Sequence, residues 1–415
     1  MTEATDIRTP PQTRDPSQVP GRRLASLDAL RGFDMFWILG GSSLAIAANR
    51  LSHDPLTRRA AEQLEHVVWE GFHFYDLIFP LFIFIVGVSI VFSLGKALHT
   101  GGRAAAMKRV LRRSLLIYCV GVFYYGGFSE PWPEIRLVGV LNRIAVCYFF
   151  GSLIFLYCSR RQIVAVCTAI LVGYWAAMSF LPFPDVRPVD RNGALISTVL
   201  KAESVDELNF ASTVHLQGTF EPGVNLASYV DQRYLPGKKW YGTWDPEGLL
   251  STIPAIASCL LGVLAGLFLL SPTASDRRKV VLLVAVGAVG VAAGFAWGLQ
   301  FPVIKKLWTS SYVLVAGGYS AILLGLFYLF IDVFGFKSWV QPFTWIGMNS
   351  ITVYLADNLL NNRSVSMRFF GGDIESFLNN QIATGLGDLM IAVGEISITV
   401  LIAWFLFKRR LFLRL

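Results

Sequence analysis

The feature that most restricts this chain is a recurrence of apolar windows about 20 residues long, each able to cross a hydrocarbon core of about 30 Å as a helix. They fall at roughly 30–49, 73–95, 110–126, 137–158, 163–181, 249–270, 280–299, 310–331, 343–360 and 389–407. Only 15% of the 415 residues are charged, where a soluble chain carries about 25%. Backbone groups in lipid must find their hydrogen bonds within the protein, which leaves helices or closed barrels, and windows of this length specify helices. The expected fold is an all-α polytopic membrane protein with about ten transmembrane helices.

The net charge of +8 reads as topology, not as a nucleic-acid surface. Lys96, Arg103, Lys108, Arg109, Arg112 and Arg113 crowd one short connection that holds no acid. Arg160 and Arg161, then Arg277, Arg278 and Lys279, then Lys408, Arg409, Arg410 and Arg414 occupy other short connections or the C-terminal end. All fall on one side of the ten spans, as cytoplasmic segments do. Both termini are therefore expected in the cytoplasm. Residues 1–22 read as a polar tail without an apolar signal region, and 23–415 as one transmembrane domain. The five cysteines show neither metal-ligand spacing nor a disulfide framework.

One connection is unusually long. Residues 182–246 carry eight acids and six bases, so they belong to the non-cytoplasmic side, and four Trp or Tyr residues lie within 234–244. An ordered lid and an interfacial aromatic belt both account for those aromatics. Aromatics mixed with residues such as Asp231 also suit sugar binding.

Ionisable groups placed at or inside spans are functional candidates, because each costs a few kcal/mol in lipid. In "SLDALRGFDMFW", Asp28 and Arg31 stand three apart and can pair on one helix face. In "EHVVWEGFHFYDLIFPLFIFIVG", His66, Glu70 and His73 would share a face if the stretch were helical, the arrangement of a metal site. Gly71 interrupts such a helix, and a neutral imidazole oriented by a carboxylate is the competing reading. Asp76 is that carboxylate only if the chain turns back after Gly71. Arg136 sits at the mouth of a span and Arg143 within it. Asp245 and Glu247 precede the next span, with Asp245 expected as its N-cap. Lys305 and Lys306 lie on the non-cytoplasmic side, against the positive-inside trend, and so call for an anionic partner. Asn349 falls within the ninth span.

Taken in order, "RLASLDALRGFDMFW", "HVVWEGFHFYDLIFPLFIFIVG", "GVLNRIAVCY", "WDPEGLLSTIPAIASCLLGVLAG", "KKLWTSSYVLVAGG" and "WIGMNSITVYL" resemble the heparan-α-glucosaminide N-acetyltransferase family. The resemblance runs from about 23 to 407. It implies transfer of acetyl from cytosolic acetyl-CoA, a co-substrate, to a glucosamine amino group across the membrane. The family's catalytic histidine lies in an H-x-x-W-x-G motif, matched here by His66, Trp69 and Gly71. Its following aspartate matches Asp76, and Asn49 is the nearest counterpart of an upstream asparagine. Asn142 stands where the family pattern has glutamine.

The resemblance further implies a multi-pass protein of a bacterial inner membrane, with coenzyme A, an amino sugar or the terminal glucosamine of a glycan, and the lipid bilayer as partners. It also implies a homodimer; the charge distribution argues against nucleic acid, and with Gly71 interrupting the histidine face no metal is expected. His66 is then the expected base, and Asn49 or Asn349 would donate to the thioester oxyanion. An acetyl-histidine intermediate is the alternative route. Arg22, Arg23, Arg31 or the 103–113 cluster would meet the coenzyme phosphates. Asp28, Arg143, Asp231, Asp245, Glu247 and Lys305 complete the candidate binding set. Two other functions suit the same polar centre: an amino-sugar transporter, and an O- or N-acyltransferase acting on a cell-envelope glycan.

Overall fold

The computed structural model describes residues 24–52, 54–190, 195–197 and 199–412. The N-terminal tail with Arg22 and Arg23, and Arg414 at the other end, lie outside them. The described chain is helical almost throughout; its two strands, β1 (Phe183–Pro184) and β2 (His215–Leu216), form one short antiparallel pair. Seven helices among the described residues are long and apolar enough to cross a membrane. Taken with the apolar composition, they make this an all-α multi-pass membrane protein.

Three of the ten expected spans do not form one long apolar helix. The first, 30–49, is divided into α1 (Ala25–Phe36) and α2 (Ser42–Ser52) by a wide turn where Leu39 and Gly40 leave helical geometry. The ninth, 343–360, is broken at Asn349 into α11 (Gln341–Met348) and α12 (Ser350–Leu360), where Gly347 lies directly against the backbone of Asp28. The third, 110–126, is the second arm of a 51-residue helical segment, α4 (Phe74–Tyr124). A straight helix of that length would extend about 75 Å, yet Asp76 and Tyr125, at its two ends, line one cavity. The chain reverses at Gly102, whose φ of +72° and ψ of −176° suit glycine alone.

Short α3 (Pro55–Gln63) leads into α4, whose arms pack with α5 (Val140–Tyr157), α8 (Leu249–Leu269) and α10 (Ser310–Phe327) into the main apolar core. α4 and α8 approach so closely that a side-chain carbon at Gly87 would strike the Cys259 carbonyl, and one at Gly262 the Phe84 carbonyl. Small residues at such contacts let helices associate without a hydrophobic drive between them. Outside this core lie α6 (Arg160–Phe180), α9 (Asp276–Gly298) and, after the short α13 (Asn362–Phe370) and α14 (Asp373–Phe377), the last long helix α15 (Leu386–Lys408).

The direction of the helices gives the bundle two distinct ends. α4, α5, α8 and α10 begin at one end, where α6 and α9 finish and Trp175 meets Trp297. Arg103 lies 5.9 Å over the Tyr157 ring at the opposite end, with the starts of α6 and α9 and their basic clusters.

The long connection is folded over its described residues. It includes α7 (Leu226–Tyr234), and a second apolar cluster ties it to the bundle: Phe183, Leu226 and Ala227 pack with Tyr174, Met178, Phe301 and Ile304. Trp240 and Tyr241 from this connection stand in the cavity wall, so the aromatics serve a folded cover and not only a belt. Asp245 does not cap α8. Helix α8 starts after Gly248, and it is Asp231 of α7 that accepts from the Leu249 N–H, at 2.9 Å. Asp245 faces Arg136 instead.

Candidate active site

The stretch from Glu65 to His73 is not helical, so His66, Glu70 and His73 do not share a helix face and the metal arrangement does not form. Gly71 adopts φ +124°, and its N–H donates to the Val303 carbonyl at 2.9 Å. That left-handed turn brings the chain back on itself, as the imidazole–carboxylate reading required. His66 Nδ1 then stands 2.8 Å from Asp76 Oδ1. Asp76 Oδ2 accepts the backbone N–H groups of Val67 and His73, at 3.3 and 3.1 Å. His73 occupies the N-cap of α4 and donates from Nδ1 to the Glu65 carbonyl at 3.0 Å, a positioning role.

A carboxylate ringed by donors accepts, so Nδ1 of His66 carries the proton and Nε2 keeps its lone pair. Asp76 is buried, while His66 is 50% exposed to the cavity beside the Tyr75 ring, 4.6 Å away. Lys305 completes the group. Its Nζ lies 3.4 Å from Asp76 Oδ1, 3.1 Å from His66 Nδ1 and 3.3 Å from Nε2. Near-equal distances to both ring nitrogens describe a charge set against the ring, not a directed hydrogen bond. Burial pushes the Lys305 ammonium below the usual lysine range, while Asp76 and Glu247 pull the other way. The anionic partner expected for Lys305 is Asp76.

These residues line a cavity of about 350 Å³. Opposite His66, Arg136 makes a two-pronged pair with Asp245, at 2.9 and 3.0 Å, and reaches Glu247 at 3.0 Å. Its guanidinium lies 4.4 Å over Tyr125 and 4.8 Å over Trp240. Burial holds the Glu247 carboxyl above the usual range against the neighbouring Arg143 and Arg136 charges. Arg143 donates from Nη2 to the Pro246 carbonyl and Ser251 Oγ, and stacks over Trp308 at 4.8 Å. Trp69 donates to the Phe220 carbonyl at 2.9 Å, joining the His66 loop to the cover. Lys306 sits between Trp69 and Tyr241 and donates to the Val68 carbonyl.

The cavity continues into an apolar neck of about 30 Å³ lined by Met35, Ile38, Phe79, Phe82, Val140 and Ile144, among others. Along α4 and α5 the neck residues lie deeper than those of the cavity, so the neck points toward the basic end.

Of the candidates expected from sequence, His66, Trp69, Asp76, Arg143, Glu247 and Lys305 line this cavity, and Asp231 and Asp245 brace its wall. Asp28, Arg31, Asn49 and Asn349 do not line it. Asn49 is on α2, where its carbonyl oxygen accepts from Thr57 Oγ1 at 3.4 Å. Asn349 is buried at the α11–α12 break. Asp28 and Arg31 form their expected pair, at 3.5 Å, with Arg31 also on Ser89 Oγ at 2.6 Å, about 20 Å along α4 from Asp76. Tyr75, Tyr241, Lys306 and Arg136 belong to the cavity without having been singled out as its ligands. For Arg136 and Lys306 the signal was a charge at a span mouth; for the aromatics there was none beyond composition.

Two comparisons bear on this arrangement. The family model described as Heparan-alpha-glucosaminide N-acetyltransferase, catalytic, matches residues 23–233, which include His66 and Asp76. Relatives named heparan-alpha-glucosaminide N-acetyltransferase from Mus musculus and Homo sapiens are each 27% identical over 403 residues, covering 84% of this chain and 56% and 55% of theirs. The chain thus spans about half the length of the curated relatives it matches. The matched region contains the dyad and most of the cover, and on that match the chain belongs to the heparan-alpha-glucosaminide N-acetyltransferase catalytic family.

Proposed function

We propose that this protein is a transmembrane N-acetyltransferase that moves acetyl from acetyl-CoA to the amino group of a glucosamine-type sugar. The observation that carries the proposal is the His66–Asp76 dyad opening onto a cavity walled by Trp69, Trp240 and Tyr241. A protonated sugar amine must shed a proton before it can attack a thioester. Nε2 of His66, the ring nitrogen left without a proton, accepts the second proton as the amide forms, a role worth about 10²–10⁴ in rate. Asp76 fixes the tautomer and balances the imidazolium. Aromatic faces and the Arg136–Glu247 pair suit the apolar faces and hydroxyls of a pyranose.

The donor fits from the other direction. The neck is narrow and apolar, which suits the arm that carries a thioester, and the basic end of the bundle suits the coenzyme phosphates. The site would then face the periplasm of a cytoplasmic membrane and the basic end the cytosol. The test is release of free thiol by detergent-solubilised protein supplied with acetyl-CoA and glucosamine. Wild type should release it and His66→Ala should lose at least about 10²-fold in kcat. Absence of thiol release with every amino sugar tried would falsify the acetyl-transfer reading; full turnover by His66→Ala would refute the assignment of the base.

A further inference from the structure

An acetyl transfer at His66 places negative charge on the thioester oxygen, and the two asparagines expected to receive it, Asn49 and Asn349, are not at the cavity. Four cations are: Arg136, Arg143, Lys305 and Lys306. Arg136 is committed to Asp245 and Glu247. Arg143 is held by the Pro246 carbonyl, Ser251 and the face of Trp308. Lys306 is held at the mouth by the Val68 carbonyl, Trp69 and Tyr241. Lys305 alone among them stands within 3.3 Å of Nε2 of His66, the atom from which the reaction is timed.

We propose that Lys305 is the oxyanion-stabilising cation of this site. The proposal rests on the acetyl-transfer reading above and assigns a role within it. As the amine nitrogen bonds to the thioester carbon, the carbonyl π pair moves onto oxygen and His66 Nε2 takes the N–H proton. The oxygen pair then restores the carbonyl, the C–S bond breaks, and the thiolate leaves with the proton that His66 returns. Amine plus thioester give amide plus thiol, and the Lys305 charge is needed only between the two steps. With the ammonium 3.3 Å from Nε2, a thioester attacked by an amine that touches Nε2 can turn its oxygen toward Lys305.

The segment that carries Lys305 is built to hold it still. Trp308 adopts φ +54°, costly for a side chain of that size, and its N–H donates to the Lys305 carbonyl at 2.9 Å. Trp308 Nε1 donates to Ser258 Oγ at 3.1 Å, and Thr309 caps α10 while its hydroxyl accepts from the Ile304 N–H. A preset donor costs no reorganisation when charge develops.

The experiment uses the full chain in detergent with acetyl-CoA and glucosamine, reading thiol release. Lys305→Met should lower kcat by about 10²–10³-fold with both KM values changed by less than about threefold. Lys305→Arg should retain part of the rate and carry the alkaline limb of the kcat profile to higher pH, since a guanidinium stays charged where a desolvated ammonium does not. A lysine that only balances Asp76 in the resting fold would leave that limb unmoved. The proposal is overturned if Lys305→Met keeps kcat within about threefold of wild type, or if the alkaline limb of Lys305→Arg coincides with that of wild type. Turnover by wild type and by Lys305→Met, with none by His66→Ala, would remove this role and leave the acetyl-transfer reading standing; no thiol release by wild type would remove both.

Discussion

Asp231 shows how a single residue ties the cover to the membrane helices. Its Oδ1 takes the Leu249 N–H at the start of α8 and its Oδ2 the Asp245 N–H, at 2.9 and 3.4 Å. Burial pushes its carboxyl up to about 7 even though both backbone donors favour the charged form; the Asp245 charge adds to the rise. The folded chain therefore binds this proton more tightly than the unfolded chain, whose aspartate titrates near 3.9. Stability from this group is full below the unfolded value and is lost as pH rises to about 7. Wild type should thus melt at a lower temperature at pH 8 than at pH 5, by an amount equivalent to a few kcal/mol. Asp231→Asn, which cannot ionise, should lose that component of the slope; an unchanged slope in differential scanning fluorimetry would refute the assignment. The same scale shows what could be read in advance. His66 and Asp76 were legible because a local motif and one glycine turn suffice to bring them together. Lys305 was half legible, since a cation set against the expected positive-inside pattern calls for a partner without naming it. That Asn49 and Asn349 stand outside the cavity lining was not legible, because an amide in an apolar window has no intrinsic address; only the breaks in their helices decide where it points.

At the scale of elements, apolar windows revealed where helices lie and failed where a helix bends. The windows at 73–95 and 110–126, with the basic connection between them, already required the chain to reverse; what hydropathy could not show is that one residue's backbone and not its side chain, at Gly102, makes the reversal inside a single helical segment. Two glycines of α4 separate these effects. A side-chain carbon at Gly95 or at Gly102 would meet nothing within 4 Å, so only the backbone conformation differs between them. Gly95 is helical, and Gly95→Ala should raise stability by about 0.5–1 kcal/mol through the lost freedom of the unfolded chain. Gly102 is held at φ +72°, and Gly102→Ala should lower it by about 1–3 kcal/mol. Opposite shifts of the thermal midpoint in detergent are the expected result, and a stabilising Gly102→Ala would argue for a continuous helix. The breaks at Gly40 and Asn349 were equally invisible beforehand. Each depends on a neighbour from far along the chain: the Glu395 side chain beside Gly40, and Asp28 beside Gly347.

For the whole molecule, the arrangement of ends makes a demand that no single residue makes. The dyad, the aromatic cover, Lys305 and Lys306 occupy one end, and the basic clusters at the starts of α6 and α9 occupy the other, with an apolar neck between. If acetyl crosses at the neck, donor and acceptor need never share a compartment. Sealed proteoliposomes test this, with orientation fixed by an impermeant thiol reagent acting on Glu70→Cys at the dyad end or Arg160→Cys at the basic end, each measured above the background of the five native cysteines. For molecules whose Arg160→Cys label reports from inside, acetyl-CoA trapped within and glucosamine supplied outside should yield N-acetylglucosamine outside. Reversing the two substrates should yield product only from molecules of the opposite orientation. A protein that works only when both substrates share the dyad side would lose the transmembrane part of the proposal while keeping the acetyl transfer. One that moves unmodified glucosamine into the vesicles without thiol release would be a transporter, and its neck a permeation path. The apolar lining argues against that outcome, since a neutral or cationic sugar would have to leave every hydrogen-bonding group of the cavity to pass Met35, Phe79, Phe82 and Ile144.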